Sequence, residues 1–176
     1  MIPLWLFAAL ASAREVDGIT FPEEATVGGS VLPLNGVGIR ERFFFDIYAA
    51  GLYLPTHTGD AARAIESNVP KRIEVRFLYR HVTRQQAVDA LRWRLMESPA
   101  AASIADQVET FIGWLSDFDR GDEILFDYVP GVGTTVTLQG ETKGMMSGAS
   151  FMRAVWGIFL GEQPITEALK RGMLGG

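Results

Sequence analysis

Arg40 and Tyr48 are the two side chains whose types and placement best suit chemistry. Arg40 interrupts an apolar stretch beside Gly38, and Tyr48 lies eight residues later in the same stretch. If residues 39–54 form one unbroken strand, the alternation of side chains puts Arg40 and Tyr48 on one face. A bulge or turn near Arg42 would cancel that parity. A guanidinium beside a phenol in an apolar cleft suits a carboxylate, phenolate or enolate on a hydrophobic body, and a surface ion pair is the alternative for Arg40.

The sequence lacks the patterns of several familiar sites. It has no cysteine, which excludes disulfides and thiol chemistry, and its two histidines, His57 and His81, are not spaced as a metal-binding pair. Gly36 and Gly38 lack the third glycine of a dinucleotide-binding loop and are interpreted as part of a turn. The acidic residues around Gly121 lack the ligand order of a calcium loop and indicate a polar helix-to-strand connection. We therefore expect no metal and no cofactor.

Composition is typical of one globular domain. The 176 residues are 48% hydrophobic and 21% charged, which argues against disorder and allows a sizeable core. The net charge of -5 gives no electrostatic reason to expect a nucleic acid partner. Arginines do collect at residues 72–94, and the expected explanation is a solvated face with interspersed carboxylates.

Residues 1–13 differ from the rest of the chain. They read MIPLWLFAALASA, a short apolar run that ends in an A-x-A site, which is typical of a secretory signal peptide. A membrane-spanning helix needs about 20 residues, so the run is too short to cross a bilayer. An ordinary buried terminal helix is the alternative. We expect an exported protein whose mature part, residues 14–176, is a single domain without a membrane span.

Strands are predicted from alternating and β-branched segments. Residues 16–34 predict two or three short strands, and residues 39–54 predict a central strand covered on both faces. Residues 71–79 give the clearest strand, with one apolar face and one face that is mostly solvated. Residues 123–128 and 134–138 predict a hairpin across the turn at residues 130–133, and residues 142–146 add a short strand.

Helices are predicted from capping residues and apolar periodicity. Thr83 and Gln86 form a capping-box pattern that opens a helix, which Pro99 ends. Further helices are predicted at residues 60–67, 101–118, 150–160 and 164–170. An α+β fold, with one layer of antiparallel strands against one layer of helices, is the economical arrangement.

Several segments together resemble the chalcone isomerase-like family, particularly its bacterial exported branch. Residues 35–40 read NGVGIR and residues 45–54 read FDIYAAGLYL. Residues 121–126, 154–161 and the ending LKRGMLG at 169–175 agree in order and spacing, so the resemblance covers roughly residues 16–175. The resemblance implies a large curved antiparallel sheet packed against a layer of helices, an open-faced β-sandwich with a ligand cleft between the layers. Together with the predicted signal peptide, the resemblance implies a periplasmic location.

The resemblance also implies site residues. True isomerases of the family close a chalcone into a flavanone by attack of the substrate's phenolate on its enone, and non-catalytic relatives bind fatty acids or have no assigned ligand. In both groups an arginine faces the cleft, and Arg40 matches that position. Tyr48 stands where the plant enzymes have a threonine that polarises the substrate carbonyl. Residues 83–98 contain no Tyr, Lys or Asn to match the group on the enzymes' cleft helix.

Three functions follow as hypotheses. The leading one is a protein that binds a small apolar carboxylate or phenolic compound, such as a fatty acid, with Arg40 pairing the charge and Tyr48 donating a hydrogen bond. The alternative is an isomerase, an intramolecular lyase acting on a chalcone-like enone, in which Arg40 and Tyr48 are catalytic and stabilise charge on a substrate oxygen. The third is a non-catalytic interaction module of the cell envelope, which predicts no ligand-sized cavity near Arg40.

Overall fold

The structure is a computed structural model that describes residues 13–176. Apart from Ala13, the predicted signal peptide lies outside the described residues. The described strands are β1 (Ala13–Val16), β2 (Ile19–Pro22), β3 (Glu24–Val27), β4 (Ser30–Arg42), β5 (Phe45–Tyr53), β6 (Lys71–Phe77), β7 (His81–Val82), β8 (Phe118–Asp119), β9 (Glu123–Val129), β10 (Gly133–Leu138) and β11 (Glu141–Ser147). The described helices are α1 (Ala61–Glu66), α2 (Arg84–Met96), α3 (Ala101–Trp114), α4 (Ser150–Leu160) and α5 (Glu167–Met173).

Seven strands form one curled antiparallel sheet in the order β11-β10-β9-β6-β5-β4-β3. The helices pack on its concave face, where side chains from the central strands and from α2, α3 and α4 form the main core. This arrangement confirms the predicted α+β fold, with one curved sheet against a layer of helices. None of the helices in residues 13–176 is long and apolar enough to cross a membrane.

The convex face of the sheet is less solvated than predicted. A hairpin of β1 and β2 places Phe21, which is fully buried, over Gly51 in the middle of the sheet. Glu74 lies opposite Gly51 in the register and is only 2% exposed, with its carboxylate 2.7 Å from the guanidinium of Arg76. The expectation of a mostly solvated face at residues 71–79 is therefore wrong at Glu74, because the hairpin covers that part of the strand.

Residues 39–54 form a hairpin rather than one strand. Phe43 and Phe44 have φ angles of 50° and 68°, and they turn the chain so that Arg42 pairs with Phe45. The second half of the segment, β5, is an interior strand whose last six residues are all buried, as predicted for a strand covered on both faces. An unbroken strand is therefore wrong, and the alternative of a turn near Arg42 is the one that the structure shows.

Gly36 and Gly38 lie inside β4, which corrects their interpretation as part of a turn. A Cβ atom at Gly38 would lie 2.0 Å from the carbonyl oxygen of Leu169, and one at Gly36 would lie 2.3 Å from that of Gly172. The two glycines therefore let α5 rest directly on the strand backbone. The side-chain amide of Asn35 holds the same contact by donating to the carbonyl oxygen of Met173 at 2.9 Å.

Most other elements agree with the sequence, with shifted ends. The capping box of Thr83 and Gln86, the β9–β10 hairpin and α4 with Gly161 as its C-cap are confirmed. Helix α3 ends at Trp114 instead of residue 118, because Phe118 pairs with Val82 in the small β7–β8 sheet. The last helix begins at Glu167, where Thr166 accepts a hydrogen bond from the backbone of Leu169.

Candidate ligand site

A cavity of about 450 Å³ opens between the concave face of the sheet and helix α2. Its apolar wall comes from the central strands and from one stripe of α2, with Phe159 of α4 at the back. The apolar lining residues include Ile47, Val75, Phe77, Val82, Ala87, Ala90, Leu91, Ile124, Phe126, Phe159 and Ile165. This volume lies within the range of small-molecule sites, so the fold provides an apolar pocket in the layer boundary.

Arg40 and Tyr48 both line this cavity. They lie directly opposite each other in the β4–β5 register, and residues opposite in an antiparallel pair project from the same face. The guanidinium carbon of Arg40 is 5.6 Å from the centroid of the Tyr48 ring. The structure thus brings the two predicted residues together, but across a hairpin instead of along one strand. The expectation that a turn near Arg42 would put them on different faces is therefore wrong, because the two-residue turn places them opposite each other.

Tyr48 is held as a neutral phenol. Burial raises its pKa to about 12, and the charges of Arg40 and Arg94 oppose that shift without cancelling it. Its ring packs edge-on against Phe77 and Phe159, with centroids 6.1 and 6.5 Å away. A buried phenol that keeps its proton is a hydrogen-bond donor at neutral pH and cannot serve as a base there.

Arg42 and Arg94 also line the cavity, and sequence reasoning missed both as site residues. Arg94 lies seven residues after Ala87, which puts it on the apolar stripe that α2 turns toward the sheet. That spacing was the signal that could have separated Arg94 from the other arginines at residues 72–94. In residues 13–176, no carboxylate lies within 4.0 Å of the guanidinium of Arg40, Arg42 or Arg94.

Other arginines of the group do follow the predicted pattern of paired surface charges. Arg72 binds Asp127 through two hydrogen bonds of 2.5 and 2.7 Å, and Arg92 contacts Glu109 at 2.9 Å. The guanidinium of Arg84 instead donates to the carbonyl oxygen of Leu115 at 2.9 Å. The cavity arginines thus differ from these residues in combining a place in the cavity lining with the absence of a carboxylate partner.

The acidic residues around Gly121 form the polar connection that the sequence predicted. The carboxylate of Asp122 accepts hydrogen bonds from the backbone of Asp119 at 2.7 Å and from the side chain of Gln139 at 2.8 Å. Across residues 13–176, no three His, Asp or Glu side chains converge as a metal site would require.

The family model described as "Chalcone isomerase-like" matches residues 13–175. The chain belongs to the chalcone isomerase-like family. None of the curated proteins matches it. Among solved structures, the chain is similar to the Arabidopsis thaliana fatty-acid binding protein AtFAP1, with a TM-score of 0.72 and 16% identity over 93% of this chain and 96% of that chain. At this identity the likeness shows the fold, and the assignment to a bacterial exported branch stays a prediction.

In this chalcone isomerase-like chain, α2 supplies most of the helical part of the cavity lining, and it contains no Tyr, Lys or Asn. It presents Gln86 and Arg94 to the cavity, together with the apolar stripe between them. The polar lining as a whole is Arg40, Arg42, Tyr48, Tyr79, Gln86 and Arg94. This set contains three cations and several hydrogen-bond donors but no carboxylate, so the cavity is suited to an anion.

Proposed function

We propose that the cavity binds a small apolar carboxylate or phenolate, with a fatty acid as the leading class. The lining supports this proposal, because an apolar pocket of about 450 Å³ contains three arginines and no acidic residue. In this arrangement the guanidinium of Arg40 pairs with the ligand's charge, and the neutral phenol of Tyr48 donates a hydrogen bond to the same group. The hydrocarbon or aromatic body lies against the sheet and α2.

Burial of the polar end adds to the selectivity for an anion. Arg40 is only partly exposed, so an uncharged ligand would leave its guanidinium in the pocket without a counter-charge. An anionic headgroup supplies the negative charge that the described residues do not place beside Arg40. Since a hydrogen bond to a charged group contributes about 1.5–3 kcal/mol, the anion should bind about 10–100-fold more tightly than a matched alcohol.

The test compares two ligands of equal chain length, dodecanoate and dodecanol, as competitors of a fluorescent fatty acid. The variant Arg40→Met should weaken dodecanoate binding about tenfold or more, while dodecanol changes less than about twofold. Arg80→Met is the matched control, since Arg80 is exposed and does not line the cavity. Equal binding of dodecanoate to Arg40→Met and to the unmodified protein would overturn the role of Arg40.

Native purification offers an independent test of the ligand class. Organic extraction of the purified protein, followed by mass spectrometry, should release a stoichiometric fatty acid or aromatic acid. An empty extract together with no measurable dodecanoate binding would reject the proposal.

An isomerase acting on a chalcone-like enone is the second candidate, and the state of Tyr48 favours it. A neutral phenol beside the Arg40 cation can stabilise negative charge that develops on a carbonyl oxygen. The substrate's own phenolate is the nucleophile, so the reaction needs no protein base, and the cavity lining contains no Asp, Glu, His or Lys. Turnover of a chalcone that disappears in Tyr48→Phe would support this function, and absence of turnover would remove it.

The interaction-module hypothesis predicted no ligand-sized cavity near Arg40, and the cavity argues against it. Export to the periplasm is kept as a proposal, supported by the apolar run and the A-x-A site at residues 11–13. N-terminal sequencing of the protein isolated from its native cells should begin at Arg14.

A further inference from the structure

The turn between β4 and β5 consists of residues that suit neither its backbone conformation nor its exposure to solvent. Phe43 and Phe44 both have positive φ angles, 50° and 68°. A two-residue hairpin turn with two positive φ angles is normally Asn-Gly, and a bulky residue in this region is an outlier. The rings are not buried in return, because Phe43 is 76% exposed and Phe44 is 96% exposed.

This aromatic tip stands at the mouth of the cavity. Phe43 lines the cavity although it is mostly exposed, and so does Phe45, which is 58% exposed. Helix α2 also carries an exposed aromatic residue, Trp93, which is 58% exposed and has the guanidinium of Arg94 over its ring at 5.5 Å. Because Arg94 also lines the cavity, both the hairpin and α2 carry exposed aromatic rings next to its opening.

The same mouth is positively charged although the chain as a whole is acidic. Arg40, Arg42 and Arg94 line the cavity, and the net charge of the chain is -5. The carboxylates of the hairpin, Glu41 and Asp46, pair with each other in the register and do not line the cavity. Arg42 lies over the Phe43 ring at 5.1 Å, so cation and aromatic ring project together at the tip.

From this combination we propose that the Phe43–Phe44 tip docks the protein on an anionic lipid bilayer. Aromatic rings partition into the interfacial region of a bilayer, and neighbouring arginines interact with anionic phosphates, which is the pattern of a peripheral membrane anchor. The cavity mouth then faces the lipid, so an apolar anion can enter without crossing water. Docking itself does not depend on the proposed function. Only the entry of the ligand from the bilayer rests on the proposed function.

The experiment measures binding of the purified protein to vesicles by flotation, without added ligand. One set of vesicles is pure phosphatidylcholine, and the other contains phosphatidylglycerol in addition. We expect binding to the anionic vesicles and weaker binding to the neutral ones. Absence of binding to either set would overturn the proposal and would leave the tip as a surface for a protein.

Substitutions at the turn keep the test independent of folding. F43N/F44G installs the preferred Asn-Gly turn, so it should fold at least as well and bind anionic vesicles at least about tenfold more weakly. Phe44→Gly alone spares the cavity lining, so it should weaken vesicle binding while dodecanoate binding in solution stays unchanged. Val132→Asn, at the tip of the β9–β10 hairpin, is the matched control and should bind vesicles normally.

The outcomes separate docking from ligand binding. Vesicle binding that is the same in F43N/F44G and in the unmodified protein would overturn the role of the tip. Loss of vesicle binding in Val132→Asn as well would show a general effect of apolar surface and would also overturn it. Failure of dodecanoate binding in a protein that still floats with vesicles would reject the proposed function and leave docking intact.

Discussion

Replacing Gly38 by alanine should force α5 away from β4. The added Cβ would lie 2.0 Å from the carbonyl oxygen of Leu169, and Cβ atoms in real structures essentially never come closer than 3.0 Å to another heavy atom. The helix or the strand must therefore move by about 1 Å or more at this point. The contacting atom belongs to the backbone, so no change of rotamer can relieve the contact.

The cost can be bounded from what α5 buries. Leu169 and Met173 are fully buried, and burial of each side chain contributes about 1.5–3 kcal/mol. Complete undocking of α5 would thus lower the free energy of unfolding by about 3–6 kcal/mol. If small shifts of the helix and strand accommodate the extra methyl group, the loss is about 1–3 kcal/mol. We expect Gly38→Ala to lower the free energy of unfolding by about 2–4 kcal/mol, between these two limits.

Urea unfolding followed by tryptophan fluorescence measures this loss. Gly157→Ala is the matched control, because Gly157 lies inside α4 and a Cβ there meets nothing within 4 Å. That variant should gain about 0.5–1 kcal/mol from the higher helix propensity of alanine. A Gly38→Ala protein within about 0.5 kcal/mol of the unmodified one would refute the reasoning.

A second substitution tests whether one movement of α5 is the cause. A Cβ at Gly172 would lie 2.5 Å from the Cα atom of Gly38, so Gly172→Ala should be destabilising for the same reason. Since a single displacement relieves both contacts, the double variant should lose clearly less than the sum of the single losses. Additive losses would mean that the two glycines are required for separate reasons.

Three further predictions concern stability at two other sites. Lys71 is fully buried, and its Nζ donates to the carbonyl oxygens of Ala64, Ile65 and Ser67 at 2.8–3.0 Å. Lys71→Met leaves those acceptors without a donor, so it should lower the free energy of unfolding in urea by about 2–4 kcal/mol. Burial lowers the pKa of Lys71 from 10.5 to about 7, so between these pH values the unfolded chain binds more protons than the folded protein. The free energy of unfolding should therefore rise from pH 7 to 10, and Lys71→Met should reduce that rise. Thr83→Ala removes the N-cap of α2 and should lower the free energy of unfolding, measured by thermal unfolding, by about 1 kcal/mol. An unchanged melting temperature would show that the capping box is dispensable.

The elements that sequence predicted well are those with a local physical signal. Thr83 and Gln86 define the start of α2 by their own hydrogen bonds, and Gly161 marks the end of α4. The β9–β10 hairpin follows from Gly131, whose φ of 76° suits the turn. By contrast, the Phe43–Phe44 turn carries no such signal, because a run of three phenylalanines is typical of a strand interior.

The candidate site was predicted only in part for a related reason. Arg40 and Tyr48 stand out because they are polar residues in an apolar segment, and the turn happens to place them opposite each other in the register. Arg94 is one of several arginines in its segment, and only its spacing from Ala87 places it on the stripe of α2 that lines the cavity. The close approach of α5 to Gly36 and Gly38 joins residues more than 130 positions apart in the chain, which no local pattern reports.

The motif at residues 35–40 therefore combines two separate physical tasks. Asn35, Gly36 and Gly38 hold α5 against β4, a task of folding that any protein with this architecture can share. Only Arg40, at the end of the motif, reaches the cavity. Matching the motif thus identifies the fold without separating a binding protein from an isomerase. That distinction depends on the polar groups around Arg40, which can attract and stabilise negative charge but include no group able to accept a proton at neutral pH.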